Sequence, residues 1–174
     1  MRIIKISALA LLAALLGAFL WYRYVVRTPE YIIKQLIRDT AATVSKQQGE
    51  TNSVNALKIL TLSRHMDQQV AFSIHDLPVS GSMGSEEFVS HITRARMMME
   101  NIEVRVLDIL IVSIEGDQAV AECEVRAFAR AADRSGHGGR RWESDDLYHL
   151  RITLHKVGDQ WLFSGFHESN ILQK

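Results

Sequence analysis

Two side chains stand where proton chemistry could be done. Asp76 follows Phe72-Ser73-Ile74-His75, and the alternation of Val70, Phe72 and Ile74 with Ala71, Ser73 and His75 reads as a short strand. A carboxylate at a strand end, once desolvated, could move a proton beside a carbonyl. The competing reading is turn chemistry, with the Asp76 side chain bonded to nearby backbone ahead of Leu77-Pro78. His167 shares its alternation with Trp161 and Phe163, so it reads as pocket-facing, either a ligand contact or a general base. A histidine satisfied by a neighbouring hydroxyl or carbonyl is the alternative. Tyr148, Trp161 and His167 together could line a pocket with Asp76 at its mouth.

The remaining reactive residue types point away from chemistry. The chain has seven histidines, but none is spaced as a metal pair such as H-x-x-x-H. His149 and His155 share a strand face six residues apart, roughly 20 Å at strand rise, too far for one ion. Cys123 is the only cysteine, so no intrachain disulfide forms. It has no local histidine partner, and it reads as a buried thiol. No metal and no cofactor is expected. Met97-Met98-Met99 fan around a helix, so at least one should be core. The Arg134…Arg140-Arg141 stretch is a solvated hairpin tip answered by Asp145-Asp146. Acids and bases balance at 20 each across 174 residues, which argues against a nucleic-acid partner.

These residues need elements to position them. The run Ile6 to Tyr22 has no charge, and with Ile3, Ile4, Val25 and Val26 it approaches the roughly 20 residues of a membrane helix. Arg2 and Lys5 precede it; Trp21, Tyr22, Arg23, Tyr24 and Arg27 follow it, as at a helix end in an interface. A cleaved signal peptide is the rival reading, but Leu16-Gly17-Ala18 is a poor cleavage site and apolar residues continue past it. Residues 1–27 are therefore expected to be a transmembrane anchor that meets the lipid bilayer through residues 3–26. The expected location is a bacterial inner membrane, single-pass, with the soluble domain periplasmic. Residues 28–174 are about the size of one ordinary domain.

Within that domain, Thr28-Pro29-Glu30 opens a helix carrying Ile33, Leu36, Ile37, Ala41 and Val44 at helical spacing, ended by Gln47-Gln48-Gly49. Ser53 is placed to cap a second helix and Ser85 a third, whose stripe is Phe88, Val89, Ile92, Ala95 and Met99. From Glu103 the period becomes two. Strands are expected over 103–114, 118–131, 147–157 and 161–168, with Cys123, Val125, Ile152 and Leu154 packed and Glu124 and Arg151 solvated. The fold class is α+β: a transmembrane helix, then three helices packed on a bent antiparallel sheet.

The order of elements over Thr28 to Lys174, the junction Gly84-Ser85-Glu86-Glu87-Phe88, and the closing Val157-Gly158-Asp159-Gln160-Trp161…His167-Glu168-Ser169 resemble the nuclear transport factor 2-like superfamily, which includes SnoaL-like and ketosteroid isomerase-like domains. The resemblance implies a cone-shaped domain whose helices and sheet enclose a pocket. Similar isomerases pair a strand-end acid with an oxyanion-donating tyrosine in the first helix, where this chain has Arg38, Asp39 and Thr40. The expected function is therefore a membrane-anchored, non-catalytic binding or scaffold domain. A protein partner or a homodimer would use its exposed sheet face. The alternative is a small-molecule-binding or isomerase/hydrolase-type enzyme that uses Asp76 and His167 in the cone pocket.

Overall fold

The computed structural model describes residues 28–73, 80–131 and 142–169, besides Ala14. Residues 1–13 and 15–27, which carry the expected anchor, lie outside them, as do Asp76 and the Arg134–Arg141 tip. No helix among the described residues is long and apolar enough to cross a membrane. The chain divides into two compact units, Met1–Gln35 and Leu36–Lys174.

Three helices form: α1 (Pro29–Val44), α2 (Asn52–His65) and α3 (Ser85–Met98). Thr51, not Ser53, caps α2, its hydroxyl accepting from the Val54 N–H at 3.4 Å. Gly84 takes the cap position of α3 and makes no side-chain bond, so Ser85 enters the helix. The acids Glu86 and Glu87 in that first turn favour the start electrostatically. Met97 and Met98 come out exposed, because α3 ends there, and Met99 begins the next strand half-buried.

The strands are β1 (Met66–Ser73), β2 (Gly81–Gly84), β3 (Met99–Glu115), β4 (Gln118–Ala131), β5 (Glu143–Val157) and β6 (Gln160–Glu168). They form one sheet in the order β2-β1-β6-β5-β4-β3. The expected wholly antiparallel sheet needs one correction. β6 pairs with β1 in parallel, with Ser73 opposite His167, so the sheet is mixed. The β3–β4–β5 meander returns β6 beside a strand that ran the same way some ninety residues earlier, a crossover that alternation within single strands does not encode.

Two tight turns hold the meander in register. Gly116-Asp117 joins β3 to β4 and Gly158-Asp159 joins β5 to β6. Both glycines have φ near +60° (58° and 62°) at the first turn position, where a side chain would be strained. The alternation then sets the faces. Ala119, Ala121, Cys123 and Val125 of β4 and Ile152 and Leu154 of β5 are buried, whereas Arg151 is exposed and Glu124 half-buried.

The helix ends are closed by charge. Arg96 of α3 is 1% exposed, and its guanidinium donates to the Thr43, Val44 and Ser45 carbonyls at 3.0, 2.6 and 2.9 Å. The first two are the last carbonyls of α1 and the third follows directly, where intrahelical partners run out. Arg96 also donates to Asn55 Oδ1 at 2.9 Å and to the Glu50 carboxylate. Lys58 Nζ meets the other Glu50 oxygen at 2.8 Å and the Ser45 carbonyl at 2.7 Å. Burial raises the Glu50 carboxyl, but the Lys58 bond and the charges of Arg96 and Lys58 outweigh it and hold it below its ordinary range. Lys46 Nζ closes α3 by donating to the Arg96 and Met99 carbonyls, both at 2.7 Å.

Candidate functional site

A cavity of about 150 Å³ lies between the helices and the sheet. The face of α1 that repeats every three to four residues supplies Ile37, Thr40, Ala41 and Val44. α2 and the start of β1 add Leu62 and Met66, and α3 adds Phe88 and Ile92. The sheet closes the floor with Val104, Val106, Val125, Leu150, Ile152, Phe163 and Phe166. In β3, β4 and β5 these floor residues follow the period-two alternation that makes the floor apolar.

The aromatic side of the wall is ordered. Phe88 and Phe166 lie parallel within 2° at a centroid distance of 5.7 Å, and Phe163 meets Phe166 at 5.3 Å and 25°. Phe72 approaches Phe88 from behind at 6.4 Å. These are offset-stacked and tilted contacts of the kind aromatic quadrupoles prefer.

Thr40 is the one polar side chain of the wall among the described residues. Its hydroxyl lies 2.9 Å from His65 Nδ1, at the end of α2. Burial lowers the pKa of His65, and the Asp39 charge opposes that shift only in part, so the neutral imidazole is favoured. This pair is only half legible in the sequence. Thr40 sits among Ile37, Ala41 and Val44 on one helical face, a signal that it is buried. Its partner, however, comes from another helix 25 residues away.

Of the four residues expected to line a pocket, three are described, and none of those three is among the residues that line this cavity. Asp76 lies outside the described residues. Tyr148 stands opposite Val125 on the cavity's sheet face, beyond the residues that form the wall. Trp161 is buried opposite Lys156, also beyond the wall. For His167 the reason is a bulge. Thr153 pairs with Gly165 and Leu154 with Phe163, which leaves Ser164 as an extra residue in β6. The extra residue switches the alternation, so Phe166 takes the cavity face. His167 turns to the opposite face, where its Nε2 and the Thr153 hydroxyl crowd over Gly165.

The sheet also carries a second depression, bordered by the charged Asp108, Glu122 and Glu124, by His149 and Ser169, and by Leu110, Cys123 and Leu150. His155 Nδ1 meets Asp67 Oδ2 at 3.1 Å. No group of three or more metal-ligating side chains gathers among the described residues. Cys123 is buried, and its thiol is pushed up to about 12 by burial and by the charges of Asp108 and Glu122. A thiol so protonated is no nucleophile.

No family model and no curated protein matches the chain. Solved structures do match. The Kfla4162 protein from Kribbella flavida superposes with a TM-score of 0.62 at 13% identity, covering 80% of this chain and 88% of that one. An NTF2-like protein with a cystatin-like fold from Novosphingobium aromaticivorans gives 0.58 at 14% identity, covering 89% and 90%. A hexachlorocyclohexane dehydrochlorinase (LinA, type 2) gives 0.55 at 11%, covering 80% and 83%. At such low identity what is shared is the architecture, and the chain has the α+β, cystatin-like fold of the NTF2-like proteins.

Proposed function

We propose that the chain is a membrane-tethered binding domain that takes a small molecule into the cavity between its helices and sheet, without catalysis. The cavity wall carries this reading: among the described residues its surface is almost entirely carbon, and its one side-chain hydroxyl already bonds His65. Proton-transfer catalysis needs a base and a preorganised donor aimed at the guest. Binding needs only space and complementary surface. The tether is residues 3–26, whose uncharged run and flanking aromatic and basic residues support insertion in a bacterial inner membrane with the domain on the periplasmic side. Tethering concentrates a binding domain beside membrane-bound partners. The outer sheet face, with exposed Leu110 on β3, is the surface we assign to a protein partner or a second copy.

A second reading, an isomerase- or hydrolase-type enzyme using Asp76, draws support from the dehydrochlorinase that shares the fold. One experiment separates the two. Small neutral molecules are titrated onto the full chain in lipid nanodiscs while the methyl resonances of Leu150 and Ile152 are followed. Binding should shift those resonances in the native chain and not in Ala41→Leu, which fills the cavity. Turnover of a bound guest that disappears in Asp76→Asn would replace the binding reading with the enzymatic one. For the tether, a reporter fused at Lys174 should score as non-cytoplasmic, and the chain should stay in membranes through a high-salt wash. Release of a mature protein beginning near Phe19 would end the anchor proposal.

A further inference from the structure

The polarity of the wall decides what kind of guest the cavity can accept, an inference that rests on the binding reading above. Among the described wall residues Thr40 alone carries a side chain that could offer a guest a hydrogen bond, and its hydroxyl already meets His65 Nδ1 at 2.9 Å. Among the described residues no buried side-chain nitrogen or oxygen lacks a partner. A hydroxyl, amine or carboxylate brought against this wall would give up water for, at most, what remains of the bonding capacity of that one hydroxyl. Such a loss is worth a factor of about 10 or more in affinity.

We propose that the cavity selects a small uncharged carbocycle with no hydrogen-bonding group, about the size of benzene or toluene, and rejects its hydroxylated isostere. Size and shape agree. An apolar cavity of about 150 Å³ engineered into another protein, lined by leucine, isoleucine and phenylalanine, stays dry and takes benzene. The present cavity has that volume and a similar lining, and it is partly open to solvent. Phe166 lies within 25° of parallel to both Phe88 and Phe163, so a flat ring can join an existing stack. The Thr40–His65 bond takes up part of the capacity of the hydroxyl on which a phenol could anchor.

Toluene and phenol differ by a methyl exchanged for a hydroxyl, and the test compares them. The full chain in nanodiscs is equilibrated by dialysis against a common reservoir, which fixes the free concentration of each guest. The Leu150 and Ile152 methyl shifts give the two dissociation constants. Toluene should bind at least about 10-fold more tightly than phenol. Thr40→Val, which keeps the side-chain volume, should leave that ratio unchanged within about 3-fold, since the hydroxyl it removes already commits a hydrogen bond to His65. Phenol binding as tightly as toluene overturns the proposal while leaving the binding reading in place. So does a loss of phenol affinity specific to Thr40→Val, which would make the hydroxyl an anchor. If neither guest moves the wall methyls, and Val104→Phe, a second filling variant, behaves as the native chain does, both the proposal and the binding reading fail.

Discussion

Replacing Arg96 with methionine removes the donor that closes α1 while keeping a long apolar stem. The guanidinium is 1% exposed, and the Glu50 side chain facing it is 6% exposed, so this pair has little water to fall back on. Breaking a buried ion pair costs about 3–5 kcal/mol. Lys58 remains 2.8 Å from Glu50 and holds part of its charge, which puts the loss near the lower figure, about 3 kcal/mol. The Thr43 and Val44 carbonyls also lose their donor, at about 1 kcal/mol each. Burial of the methionine side chain returns about 1–2 kcal/mol. The net expectation for Arg96→Met is a loss of about 3–4 kcal/mol, equivalent to a fall in Tm of about 10 °C for a domain of this size. The assay is urea unfolding of the full chain, followed by fluorescence of the buried Trp161. In the double variant Glu50→Gln with Arg96→Met, removing the stranded carboxylate should recover about 1–2 kcal/mol relative to additivity. A loss below about 1 kcal/mol in the single variant, or additivity in the double, would refute the view that this cluster secures the helix.

Other outcomes follow from the same geometry. Cys123 should be inert: with its thiol near 12, roughly one molecule in ten thousand is thiolate at pH 8, so a thiol reagent should label it only as fast as the domain unfolds. Stability should depend on pH through two groups. His65 has a folded pKa below its ordinary value, so its contribution is complete above about pH 6.5 and is lost as pH falls from there toward the folded value, where the unfolded chain binds the proton first. Glu50 behaves alike in a lower window, full above its unfolded value of about 4.5 and declining as pH falls through the folded one. Urea titrations at a series of pH values should show both slopes, and Glu50→Gln should remove the lower one. Gly158→Ala should cost about 1–2 kcal/mol by thermal denaturation. A Cβ there meets nothing within 4 Å, so the cost is the backbone strain of φ +62° alone.

Much of the domain was legible in the sequence because its signals are local. The change from helical to alternating period gave the meander, and the β4 and β5 faces follow from Ala121, Cys123, Val125, Ile152 and Leu154. What was not legible depends on partners far along the chain. The parallel β1–β6 pairing is settled by which edge β6 can reach, not by the residues of either strand. The bulge at Ser164 is one extra residue in an otherwise regular alternation, yet it moves His167 off the cavity face and puts Phe166 on it. The Thr40–His65 bond depends on the relative phase of two helices, which neither helix specifies by itself.

The position of β6 also governs when the domain can fold. It comes after every other strand in the chain, yet it lies inside the sheet, between β1 and β5. Its parallel partner was synthesised some ninety residues earlier, and such distant pairing carries a high contact order and a correspondingly slow closure. Until β6 emerges, β1 and β2 form an isolated hairpin, which is marginal in water, and β5 presents an unpaired edge. A nascent chain therefore carries its helices and two open strand edges at once, exposed to mispairing with its neighbours. Ribosome-bound fragments ending before Gln160 should be protease-sensitive throughout, and resistance should appear in a single step once the strand through Glu168 has cleared the exit tunnel.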